Sequence, residues 1–190
     1  MTATDKPALA ETIHEPDGRT TEMLDLPNDE ATLLRLFRLL FEEHATEITF
    51  GPCIQGAVFE IHADRAAKVT MLDGYLTVGL GAWHFHLCIG GHRGYPSNPC
   101  PPELARHRRV KRAALFRTVG PSCVPASWGL RLWNGHHEQM ITVFFPNPHL
   151  NDEEKRTRHP DWSRLRLWNE VRREFLGLAE DPRDREHHPE

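Results

Sequence analysis

The stretch WHFHLCIGGH, residues 83–92, sets His84, His86 and Cys88 at every second position and fills the places between them with Trp83, Phe85, Leu87 and Ile89. Side chains alternate along a β-strand, so this spacing puts two imidazoles and a thiol on one face and apolar bulk on the other. Imidazole and thiolate suit zinc or iron, whereas magnesium and calcium ask for shells of oxygen. A third ligand to His84 and His86 could be Glu60 or His62 of AVFEIHA (57–63), Cys88 itself, or His92 in the glycine-flanked GGHRG. Glu60 and His62 share one parity if AVFEIHA is a single strand. Two histidines and a carboxylate form a ligand set of catalytic zinc and non-haem iron sites; with one coordination position open, Glu60 would serve as ligand or general base. The plain alternative is a pair of solvated histidines on the outer face of an antiparallel sheet.

Arg131 is the second residue with chemical potential. In SWGLRLW (127–133) it shares the polar face with Ser127 and Gly129, and EQMITVFF follows through the turn NGHH. Its guanidinium could grip a carboxylate or phosphate bidentately in a catalytic or binding role, or form a surface ion pair near Glu138 or Gln139. This supports a reading of a different class, a non-enzymatic module that binds a small anion or a protein through Arg131 and the histidines. A third reading is an iron-sulfur protein using Cys53, Cys88, Cys100 and Cys123, although no C-x-x-C pair is present.

Composition narrows these classes. A chain of 190 residues and 21.9 kDa fits one domain able to bury a core, with 39% hydrophobic and 26% charged residues. The formal net charge of -4 argues against general affinity for nucleic acid. The start, MTATDKPALAETIHEPDGRT, has neither a basic region nor an apolar run, and no stretch spans a membrane, so a cytoplasmic protein with reduced cysteines is expected. Oligomeric state is not legible.

The elements that position the candidate residues follow from periodicity. Residues 1–22 are polar without an apolar period and are expected to form a flexible tail; 23–178 form a single domain, and 179–190 a disordered tail. Asn28 or Asp29 caps a first helix whose Leu33, Leu36, Phe37 and Leu40 share one face. KVTMLDGYLTVGL is two β-prone runs joined at Asp73-Gly74, and Asn134-Gly135 marks a second tight hairpin. The proline-rich HRGYPSNPCPP is an exposed loop beside the end of the histidine strand. From Pro102 a basic helix runs through ELARHRRVKRAALFRTV (103–119) to a stop at Gly120, its charges taken as a solvated face although an anionic partner would fit them. Asp161 caps a last helix with Trp162, Leu165, Trp168, Val171 and Phe175 along one stripe and Gly177 as its stop. The sum is an α+β fold, an antiparallel sheet of five or six strands with about three helices packed on one face.

The strings FGPCIQGAVFEI, MLDGYLTVGLGAWHFHLCIGGHRG, SWGLRLWNG and FFPNP, in this order, resemble a family of small bacterial proteins of unknown function over roughly residues 24–178. The resemblance implies a single bacterial domain and brings no activity, substrate or cofactor with it.

Overall fold

The computed structural model of the chain describes residues 11–14, 18–54, 56–120 and 125–186. Strands β1 (Glu11–His14) and β2 (Thr20–Leu26) pair antiparallel, with Glu11 opposite Met23. They lie largely where the sequence reading expects a tail. Thr21 and Met23 are buried on alternate positions of β2, and a period that begins with threonine carries little apolar signal.

Helix α1 (Glu30–Arg38) starts where Asp29 accepts a hydrogen bond from the Thr32 amide, the cap expected from sequence. It widens into a π-turn over Leu39–Glu43 and buries Leu33, Leu36, Phe37, Leu40 and Phe41. Four short strands follow: β3 (Thr49–Gly51), β4 (Cys53–Ile54), β5 (Ala57–Val58) and β6 (Ile61–His62). AVFEIHA is therefore not one strand. Its first residues fold back on β4 and its last pair with β3, leaving Phe59 and Glu60 between them. The Phe59 amide donates to the Pro52 carbonyl, and its side chain is 58% exposed rather than packed inward.

Strands β7 (Lys68–Leu72), β8 (Tyr75–Gly79) and β9 (His84–Cys88) form the expected antiparallel meander. Asp73 (φ 49°) and Gly74 (φ 78°) make its tight turn, the positive angles that an Asp-Gly pair tolerates best. The proline-rich segment is exposed along most of its length and holds a minimal hairpin, β10 (Gly94–Tyr95) and β11 (Asn98–Pro99).

The expected helix over 103–120 is corrected. Helix α2 (Pro102–Arg108) begins with proline as anticipated, but Arg109 turns extended (φ -68°, ψ 142°) and β12 (Val110–Val119) follows. Ala113 through Thr118 are all buried. A short apolar run inside a sheet covered on both faces lacks alternation, and periodicity alone does not separate it from a buried helix. The described chain then supplies β13 (Pro125–Asn134), β14 (Gln139–Phe144), a 3-10 turn at Trp162–Leu165, and α3 (Arg166–Leu176). Asp161 caps this turn through the Ser163 amide, and Gly177 ends α3 in the left-handed conformation (φ 65°).

Seven strands form one antiparallel sheet in the order β1-β2-β12-β13-β14-β3-β6, and β7-β8-β9, β4-β5 and β10-β11 form smaller ones. The fold is α+β. The sheet exceeds five or six strands because β1 and β2 arise in the expected tail and β12 in the expected helix.

Two compact units make up the chain: unit 1 is Met1–Leu26, Ala114–Leu130 and Phe144–Glu190, and unit 2 is Pro27–Ala113 and Arg131–Val143. Unit 2 centres on an aromatic cluster in which Phe41 meets Phe37, Phe50 and Phe85 with ring centroids 4.9–5.6 Å apart. Unit 1 buries Phe116, Trp128, Phe145, Leu167, Trp168 and Val171, each large side chain contributing about 1.5–3 kcal/mol. A turn at Pro182–Arg185, where a disordered end was expected, returns Asp184 to this core. Among the described residues no helix is long and apolar enough to cross a membrane.

Candidate functional site

Strand β9 behaves at its histidines as parity requires. His84 and His86 are exposed, their ring centroids 4.9 Å apart and their planes at 68°. His86 stands opposite Thr77 on β8, and Thr77 Oγ1 lies 2.7 Å from His86 Nδ1, a contact that fixes the ring. On the other face Phe85 packs on Phe41 and Phe50. Cys88 departs from the pattern. It shares the histidine parity yet is only 2% exposed, its Sγ 3.7 Å from the Gly90 carbonyl, and desolvation pushes its thiol above the usual value.

The other candidate ligands stand elsewhere. Glu60 is exposed between β5 and β6, and His62 faces Thr49 with both ring nitrogens 3.3 Å from its hydroxyl. His92 Nδ1 lies 2.8 Å from Asp73 Oδ2, its other nitrogen 3.5 Å from the Arg108 guanidinium, and Tyr75 meets its ring edge-on at 5.0 Å. Among the described residues no group of three or more His, Cys, Asp and Glu side chains is placed to hold a metal ion. Cys53, Cys88 and Cys100 are free thiols, and Cys123 lies outside the described residues.

Arg131 lies on β13, as expected. Glu138 binds His107 Nε2 at 2.8 Å and Asn134 Nδ2 at 2.6 Å, while Gln139 donates to Thr142.

Asp73 organises the turn behind His92. It accepts the amides of Arg93 and Gly94 at 2.9 Å each, and these bonds, with the His92 contact, hold its carboxyl below the usual carboxylate value. Gly74 is required here, because a Cβ would sit 2.6 Å from the Gly91 backbone.

A concavity in unit 2 lies at the end of α2. Its volume is about 610 Å³, and its walls carry Asn28, Arg106, His107, Arg109, Lys111 and His136. The last turn of α2 supplies Arg106 and His107, the extended step after it supplies Arg109, and β12 supplies Lys111. Opposite them, the β13-β14 turn presents His136. Gly135 makes this approach feasible. Its amide donates to the His107 carbonyl at 2.9 Å, and a Cβ there would fall 2.1 Å from the Arg106 carbonyl oxygen. Asn134 Oδ1 accepts the His136 and Glu138 amides, and the positive φ of this turn falls on His137 (62°) rather than on the glycine. The rings of His107 and His136 consequently stack face to face, 3.6 Å apart and 6° from parallel. Asn28 clamps the far wall by donating to the Lys111 carbonyl.

Three permanent cations against one lining carboxylate, Glu103, give this concavity a positive field. The bond from His107 holds Glu138 below the usual carboxylate value, with Asn134 adding to it. Sequence reasoning places these basic residues on a solvated helix and His136 in an exposed turn. No local signal joins them, since the pairing of residues 107 and 136 exists only once the chain has folded.

Residues 10–177 match a family model described as a family of unknown function, DUF7676, a span that takes in β1 and β2 as well as the segments of the resemblance. No curated protein and no solved structure matches the chain.

Proposed function

Since the chain belongs to this family of unknown function, whose description assigns no chemistry, we propose from geometry that it is a binding module for a small, multiply charged oxyanion of the phosphate or pyrophosphate class. The observation that carries this reading is the convergence of Arg106, Arg109 and Lys111 around a cavity floored by the stacked His107–His136 pair. Arginine and lysine donate charge-assisted hydrogen bonds to phosphate oxygens, and the bond that His107 makes to the Glu138 carboxylate holds its ring in place for the stack. The ligand would bind without a covalent step. A reducing cytoplasmic setting, in a bacterial cell, suits the free state of Cys53, Cys88 and Cys100.

A second reading keeps a cation, zinc or iron, on His84 and His86. The paired exposed rings and the anchoring of His86 by Thr77 favour it. Further ligands would come from water or a bound molecule, and Glu60, His62, Cys88 and His92 would have to move to contribute.

One set of titration calorimetry experiments separates the readings. Pyrophosphate is expected to bind the wild-type chain and to bind Arg109→Ala and Lys111→Ala roughly tenfold or more weakly, since each charge-assisted contact is worth about 1.5–3 kcal/mol. Affinity should fall as salt rises. Binding that is unchanged in both variants would remove the oxyanion reading, and zinc binding lost in a His84→Ala, His86→Ala double variant would favour the second.

A further inference from the structure

Unit 1 holds a polar cluster that the basic concavity does not use. Asp184 is 2% exposed, and four donors from three elements converge on its carboxylate. Arg117 Nη1 of β12 and Trp128 Nε1 of β13 each donate to Oδ1 at 2.8 Å. Trp168 Nε1 of α3 donates to Oδ2 at 2.8 Å, and Arg172 Nη1 of α3 reaches the same oxygen at 3.4 Å. Two indole N–H groups and two guanidinium groups aimed at one carboxylate make a receptor, with each oxygen gripped twice.

Three observations distinguish this receptor from an ordinary packed core. Asp184 reaches it from a short 3-10 turn at Pro182–Arg185, and the family match ends at residue 177, so the donors lie within the matched span and the carboxylate that fills them lies outside it. Arg172 is 6% exposed, its long bond to Asp184 is weak, and its Nε has no acceptor among the described residues. Beside it opens a cavity of about 390 Å³, the size of a small-molecule site; Leu24, Leu178 and Ala179 give it an apolar side, and Glu22, Glu180 and Asp181 an acidic one. A buried guanidinium that lacks a full set of acceptors next to a space with one apolar side is the half of a binding site that recognises a charged head group.

We propose that Arg117, Trp128, Trp168 and Arg172 form a carboxylate receptor that the chain's own Asp184 occupies as an internal stand-in, and that a small monocarboxylic acid with an apolar body takes this place when the 182–185 turn lifts. Charge favours a single carboxylate. Arg117 is also bound by Glu22 and by Asp181, at 3.1 Å from the latter, so exchanging Asp184 for one ligand carboxylate preserves the balance, whereas a second negative charge would meet Glu22 and Asp181. The guanidinium of Arg172 lies over the Trp168 ring, 5.4 Å from its centroid, a cation–π contact that holds it at the edge of the cavity.

The test uses the full chain with Asp184→Ala and reads the thermal midpoint with added sodium acetate, sodium phenylacetate, neutral acetamide and sodium chloride at matched concentration. Acetate is expected to raise the midpoint of the variant saturably, with acetamide and chloride doing less and the wild-type chain responding at least tenfold more weakly. Phenylacetate should act at concentrations at least tenfold lower than acetate if its ring enters the cavity, and Arg172→Met added to the variant should abolish both responses. If Asp184→Ala does not fold unaided, the same salts in the refolding buffer are expected to restore tryptophan fluorescence. A variant that neither carboxylate stabilises or refolds beyond the chloride control would overturn the receptor and leave Asp184 as a structural clasp. Equal responses to acetate and phenylacetate would overturn the role of the cavity.

Discussion

Gly135 carries more of the basic concavity than any charged residue in it, because it sets how closely the β13-β14 turn approaches the end of α2. An alanine methyl at that position would meet the Arg106 carbonyl at 2.1 Å, a clash with backbone that no rotamer relieves. Gly135→Ala is therefore expected to cost about 1–3 kcal/mol in urea denaturation, and to weaken pyrophosphate binding by separating His136 from His107. An alanine variant with unchanged stability and affinity would show that the imidazole stack is incidental. The same scale explains what was legible of the candidate sites. The shared face of His84 and His86 needs only strand parity, a local property, and it is present. Grouping Glu60 and His62 with them needed AVFEIHA to be continuous, and the fold-back of β5 onto β4 breaks it. Cys88 obeys the parity but not the exposure, because burial depends on what covers the strand and not on the strand's own sequence. The His107–His136 stack has no sequence signature, since each histidine sits in a context that reads as solvent.

Helix ends were the most legible elements, because a cap is a contact between near neighbours. Asp29, Asp161 and Gly177 all act where their residue types suggest. Gly177 offers a direct check: at φ 65° an L-residue with a Cβ is strained, so Gly177→Ala should lower stability by about 1 kcal/mol, read as a shift in the urea midpoint with an unchanged slope. An unshifted midpoint would mean that the end of α3 relaxes without cost. The strand β12 was illegible for the opposite reason. Its centre is apolar at consecutive positions and it follows a genuine helix start at Pro102, so the sequence pattern offers no boundary; the extended backbone at Arg109 does.

At the scale of the whole molecule, acid should weaken both units. In unit 1, burial pushes the Asp181 carboxyl up, but the Arg183 amide and the charge of Arg117 outweigh it and leave the group below its ordinary 3.8. In unit 2, Asp73 and Glu138 are held below ordinary values of 3.8 and 4.5. Each of these groups binds fewer protons folded than unfolded, so its stabilisation is fully present above those ordinary values and is lost as pH falls through the depressed ones. Cys88 acts in the other direction. Its raised thiol keeps its proton more tightly in the folded chain, so stability should decline as pH climbs past the ordinary 9.0. Urea midpoints followed by tryptophan fluorescence are expected to be highest near neutrality and lower at pH 3 and pH 10, and a midpoint at pH 3 equal to that at pH 6 would contradict the carboxylate contacts.

The interleaving of the two units along the chain has a consequence for biosynthesis. Every segment of unit 2 precedes residue 144, whereas the donors of the unit 1 cluster emerge from the ribosome piecemeal, at residues 117, 128, 168 and 172, before Asp184 is translated. Unit 2 has all of its residues available while unit 1 still lacks α3, and at about 5–20 residues per second the nascent chain spends seconds in that condition. During this interval Arg117 has Glu22 but the indoles lack the Asp184 carboxylate that the finished core gives them, which makes the emerging polypeptide, rather than the finished one, the species most dependent on anions in its surroundings.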